Sequence, residues 1–117
     1  MFQVSFSEQS MRELNRLGVA EQMRLVELFG AITHEQLAHP REPLGRFSRE
    51  GSTLYRLRAG DYRCYFEVNG EQLNLLYMLP RNSFTDFLVR SKLPMNDEIL
   101  AENQPGFWKY LESLTRK

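Results

Sequence analysis

Arg56, Arg58 and Arg63 are the residues of this sequence whose type and spacing point to chemistry. Arg56 and Arg58 stand two apart in the alternating run Tyr55-Arg56-Leu57-Arg58. In a β-strand such residues share one face, opposite Tyr55 and Leu57. The turn Ala59-Gly60-Asp61 leads into a second strand-like run, in which Cys64, Phe66 and Val68 suit a core and Arg63, Tyr65 and Glu67 point the other way. Pairing across that turn sets Arg63 beside Arg56 or Arg58. Like charges opposed on a sheet repel, so selection for stability alone disfavours the cluster unless an anion or Glu67 compensates. A guanidinium stays ionised and binds two oxygens at once, which makes it suited to phosphate. The expected site is therefore an anion clamp of Arg56, Arg58 and Arg63. Arg81 lies beyond the following strand, Arg46 and Arg49 frame the group, and Tyr62 and Tyr65 stand beside it as phosphate contacts. The alternative is a solvated sheet face with arginine stems lying over apolar surface; three arginines beside two tyrosines favour the clamp.

The elements that must position these residues follow from hydrophobic period. Phe2, Val4 and Phe6 alternate as in a half-buried strand. Ser7 reads as a helix N-cap, a short helix runs to Leu17, and Gly18 ends it. A second helix is predicted from Val19 to about Ala38, with Met23, Val26, Leu28, Phe29, Ile32 and Leu37 as its apolar stripe and His39-Pro40 as its stop. Strands follow at 53–58, 62–68 and 72–79, with a short one at 45–49 before them. Asn69-Gly70 is the clearest hairpin turn. Residues 82–89 read as a short helix, and Phe107, Trp108, Leu111 and Leu114 recur at helical spacing near the end. The expected fold is α+β: a β-α-α-β-β-β antiparallel sheet, a helical hairpin on one face, and a C-terminal helical extension. The expected division is a domain at 1–92 and an extension at 93–117.

Composition narrows the function classes. The chain has 117 residues and a formal net charge of zero, so bulk charge does not attract nucleic acid. Residues 41–92 hold nine Lys and Arg against six Asp and Glu, and the flanking segments are acidic; a polyanion site must be this local patch. No apolar run is long enough to cross a membrane. The N-terminus lacks the pattern of a secretory signal, and the single Cys64 reads as a core residue. A cytoplasmic setting is expected. His34 and His39 lack metal spacing, and no phosphate loop or dinucleotide fingerprint occurs, so neither a metal nor a cofactor is expected.

The run Tyr55-Arg56-Leu57-Arg58-Ala59-Gly60-Asp61-Tyr62-Arg63 resembles the core of RelE/ParE-superfamily toxins, and the element order matches over roughly residues 2–92. The resemblance implies the toxin of a bacterial type II toxin–antitoxin system, held inactive by a cognate antitoxin. The RelE branch cleaves mRNA in the ribosomal A site, which implies catalytic roles for Arg56, Arg58, Arg63 and Arg81 in stabilising the pentacoordinate phosphate. It also implies RNA contacts from Arg46, Arg49, Tyr62 and Tyr65. Leu54 and Phe87 stand where RelE has a lysine and a tyrosine, and no histidine follows His39. Transesterification needs a proton acceptor, for which Tyr62, Tyr65 and Glu67 are the candidates. The alternative is a binding module without enzyme activity, either a ParE-like inhibitor of DNA gyrase or a degenerate toxin that binds its antitoxin. Two further expectations concern the tail: that it occludes the sheet face, or that it forms a homodimer.

Overall fold

The computed structural model describes residues 2–49, 51–83 and 105–113, with the side chains of Arg49 and Pro105 outside the description. Its chain order is β1 (Gln3–Phe6), α1 (Glu8–Leu14), α2 (Val19–Gly30), α3 (His34–Ala38), β2 (Leu44–Arg49), β3 (Ser52–Ala59), β4 (Tyr62–Asn69), β5 (Gln72–Pro80) and α4 (Pro105–Ser113). The strands form one sheet in the order β1-β5-β4-β3-β2. Two compact units divide the chain, Met1–Met78 and Leu79–Lys117. Among the described residues no helix is long and apolar enough to cross a membrane.

The α+β class is as expected, with one difference in strand direction. β1 pairs parallel to β5, from Gln3 opposite Gln72 to Phe6 opposite Leu75, so the sheet is mixed. The reason is the helical crossover between them: a chain that leaves β1, passes through helices and returns at the far edge can enter β5 in the same direction. β2–β3 and β3–β4 are antiparallel, as hairpins require. Gly60 and Gly70 take the positive φ, 60° and 61°, that their tight turns demand.

Ser7 caps α1 as expected, accepting a hydrogen bond from the Ser10 backbone N–H. This helix then completes the sheet where β1 ends. The buried Gln9 amide donates to the Met78 carbonyl at 2.8 Å and accepts from the Met78 N–H at 2.9 Å. Ser10 donates to the Leu75 carbonyl. Gln9 thereby satisfies backbone groups of β5 that lie beyond β1, and Ser10 adds a donor to a carbonyl that already accepts from the Ser7 N–H.

The single helix expected from Val19 to Ala38 is in fact two. Thr33 starts α3 with a capping box: its hydroxyl accepts from the Gln36 N–H, and the Gln36 side chain accepts from the Thr33 N–H. The buried stripe also differs from the expected one, already within α2. Leu25, Phe29, Ile32 and Leu37 are buried, whereas Met23, Val26 and Leu28 are exposed. The core joins these helical residues to Leu57, Cys64, Phe66, Leu73 and Leu75 on the sheet. Phe66 stacks on Tyr55 and meets Phe29 edge-on. Burial pushes the Cys64 thiol up to about 12, which fits an inert core residue. The proposed helix over 82–89 lies mostly outside the described residues. In the second unit α4 buries Phe107, Trp108 and Leu111, the spacing read from the sequence.

Candidate functional site

The period of two along β3 and β4 places Arg56, Arg58, Arg63 and Tyr65 on the sheet face opposite the helical core. Arg58 stands directly opposite Arg63, and Arg56 directly opposite Tyr65. The like-charge cross-strand pair expected from the sequence is therefore Arg58–Arg63.

Arg56 and Arg58 differ sharply in environment. The Arg56 side chain is 2% exposed and that of Arg58 is 39% exposed. Both meet the carboxylate of Glu42, which stands on the loop between α3 and β2 and is itself 56% exposed. Arg56 holds it through two parallel bonds, Nη1 to Oε2 at 3.0 Å and Nη2 to Oε1 at 3.1 Å. Arg58 donates from Nη2 to the same Oε2. The loop backbone is tied down as well. The Pro43 carbonyl accepts from Arg56 Nη1 at 3.0 Å and from the Arg58 backbone N–H at 3.2 Å. The hydrogen bond from Arg56, followed by the charges of Arg56 and Arg58, holds the Glu42 carboxyl below its usual range against an opposing effect of desolvation.

Gly45 makes the buried arginine possible. It is the cross-strand partner of Arg56, and a Cβ there would come within 2.8 Å of Nη2 and 3.1 Å of Cζ. The guanidinium thus lies on bare backbone, with the Phe47 ring centroid 5.9 Å from Cζ.

Several expected site residues stand elsewhere. Arg46 is opposite Tyr55, so it belongs to the helix side of the sheet. Its Nη1 donates to the carbonyls of Leu37 and Ala38 at 3.3 and 3.1 Å; it caps α3 rather than framing the arginines. Tyr62 also lies on the helix side, packed against the core. Parity with Cys64 requires this, and burial raises its phenol above the ordinary value, which removes it as a proton acceptor at neutral pH. Tyr65 is on the arginine face but fully buried, so it is not an open contact surface. Leu54 is buried on that face; a lysine there would have to bury its ammonium. Glu67 shares the face, yet four residues along an extended strand separate it from Arg63 by roughly 13 Å. Arg49 ends β2 and its side chain lies outside the described residues, as does Phe87. Arg81 is exposed, directly after β5, and belongs to the second unit. His34 pairs with Glu71 at 2.8 Å, and among the described residues no metal-holding cluster occurs.

Glu42 is the site residue that the sequence reading missed. The signal was an acidic residue before Pro43 on the loop leading into the strand beside the arginines.

Comparison with solved structures bears on the fold that carries these residues. A chain of the archaeal RelE–RelB complex from Pyrococcus horikoshii matches with a TM-score of 0.54 and 26% identity, over 68% of this chain and 94% of that one. This chain is RelE-like. Chains of the RelBE2 toxin–antitoxin complex from Mycobacterium tuberculosis and of the RelB–RelE complex from Methanococcus jannaschii also match, at 20% and 22% identity and TM-scores of 0.47 and 0.43. They cover 68% and 70% of this chain and 98% and 95% of their own. No family model and no curated protein matches the RelE-like chain.

Proposed function

We propose that this protein is the toxin of a toxin–antitoxin pair and that it blocks translation in the cytoplasm by ribosome-dependent cleavage of mRNA. The observation that carries the cleavage reading is the Glu42 carboxylate, shared by Arg56 and Arg58 beside the Arg58–Arg63 pair. It supplies the proton acceptor that arginines lack. Glu42 is ionised at neutral pH and solvent-accessible, so it can take the proton of an RNA 2′-OH. The 2′-oxygen then attacks the adjacent phosphorus, a 2′,3′-cyclic phosphate forms, and the departing 5′-oxygen takes its proton from solvent. Arg58 and Arg63 stabilise the extra negative charge on the pentacoordinate phosphate. The likeness to a chain of a RelE–RelB complex supports an antitoxin as the protein partner.

Expression without antitoxin tests the proposal. Growth arrest should be accompanied by cuts in mRNA at the ribosomal A site. Glu42→Gln and Arg63→Ala should each lower cleavage by about 100-fold or more while the variants remain folded. Arrest with intact mRNA counts against cleavage; a DNA-damage response during such an arrest would select gyrase inhibition instead.

A further inference from the structure

Helix α2 carries a second apolar stripe that its own core does not use. Leu25 and Phe29 are buried and join the core. Val19, Met23 and Val26 stand on another side of the helix and are 72%, 58% and 41% exposed. Gly30 continues the series one turn on, so the steps run four, three, four. That is the spacing of the a and d seam of a coiled coil, and it runs the length of α2. Single exposed apolar residues need no explanation, but a seam at this spacing is the pattern of a helix that meets another helix. One edge of the seam is charged. Arg24 and Glu27 are exposed, and among the described residues neither side chain enters an ion pair or a hydrogen bond. At about 100° per residue, both stand on the same side of the seam.

We infer that α2 is a self-association surface, through which two copies of this chain pair as antiparallel helices about a two-fold axis. Laid antiparallel along the stripe, a second α2 sets Met23 beside Val26 of the other copy and Val19 beside its Gly30, and the symmetry makes each contact twice. Nothing stands within 4 Å of a Cβ placed at Gly30, so Val19 packs directly on backbone there. The same axis brings Arg24 of each copy alongside Glu27 of the other, which gives both charges a partner. A parallel pair would align the two helix dipoles in the same sense and leave each Glu27 without a cation. A helix of 12 residues presents far less than the roughly 800 Å² per partner that stable interfaces bury. The dimer is therefore weak and forms where the protein is concentrated. This surface is distinct from α4, and the inference requires neither the phosphate-face reading nor cleavage.

Sedimentation equilibrium of the purified full chain, with no other protein present, tests the inference. Loadings from about 10 μM to about 2 mM should fit a monomer–dimer equilibrium with a dissociation constant of about 0.1–1 mM, as suits so small a patch. Met23→Glu puts a charge into the seam and should weaken association by about tenfold or more. Met23 is largely exposed in the single chain, so circular dichroism of this variant should be unchanged; if it is not, the charge variants carry the test. Arg24→Glu opposes two carboxylates and should weaken association by about three- to tenfold. Combining it with Glu27→Arg should restore the original constant. Monomers at every loading overturn the inference and leave the stripe to a helix of another protein. A dimer indifferent to Met23→Glu overturns it in favour of another surface, such as α4. A double exchange that binds no better than Arg24→Glu alone overturns the two-fold arrangement, and the inference with it.

Discussion

Arg56 and Arg58 leave the same face of one strand, two residues apart, and grip the same carboxylate. Position along β3 separates their roles. Arg56 faces a glycine on β2 and a tyrosine on β4, so its guanidinium sinks between neighbours and becomes part of the packing. Arg58 faces Arg63 and keeps more than a third of its side chain in water. The same residue type is part of the packing at one position and partly open to water at the other. Cation count is therefore a poor guide to an anion site, because burial can commit an arginine to the packing.

The sharpest way to break this contrast is to truncate each arginine separately. Arg56→Ala removes a buried, multiply bonded side chain and should lower stability by about 2–3 kcal/mol, read by urea unfolding. Arg58→Ala removes a partly exposed charge and relieves a like-charge pair. Its stability should change by no more than about 0.5 kcal/mol, while mRNA cleavage falls about 100-fold. Equal losses of stability in the two variants would erase the distinction.

The contrast also marks where sequence reasoning stops. That Arg63 stands beside Arg56 or Arg58 was legible, because a period of two and a short turn constrain a hairpin; which of the two it opposes needed the observed register. The helix-side position of Tyr62 was legible too, since it shares parity with Cys64 and Phe66. The division of the second helix was written in Thr33 and Gln36, a capping spacing inside an apolar pattern. The burial of Arg56 was not legible. It depends on Glu42, fourteen residues earlier, and on a missing side chain at Gly45 in the next strand. Neither is visible until β2 is paired in register with β3. Arg46 misled for the same reason: only that register shows that it faces Tyr55 and reaches the end of α3.

A smaller effect sharpens the role of the seat. Gly45→Ala adds one methyl group, yet places it within 2.8 Å of a guanidinium nitrogen that is buried and bonded to Glu42. Arg56 must shift or the strands must part. A loss of about 1–2 kcal/mol is expected in the same unfolding assay. Introduced into Arg56→Ala, which has already vacated the space, the second change should cost much less. Full additivity would show that the glycine serves something other than the arginine.

The smallest effect is a dependence on pH. Glu42 has its carboxyl held below the ordinary value of 4.5, chiefly by its hydrogen bond to Arg56. A folded-state value below the unfolded one means that the unfolded chain binds the proton more readily. The stabilisation from Glu42 is therefore complete above about pH 4.5 and is lost as pH falls through the depressed folded value. Because the carboxylate is more than half exposed, water screens much of the attraction, and the contribution should be under about 1 kcal/mol. Glu42→Gln should flatten this part of the acid limb when unfolding at pH 7 is compared with unfolding at pH 3. Arg58→Ala should flatten it less, because Arg56 supplies the larger share of the shift. If Arg58→Ala flattens the limb as much as Glu42→Gln does, the exposed arginine rather than the buried one is what holds the loop.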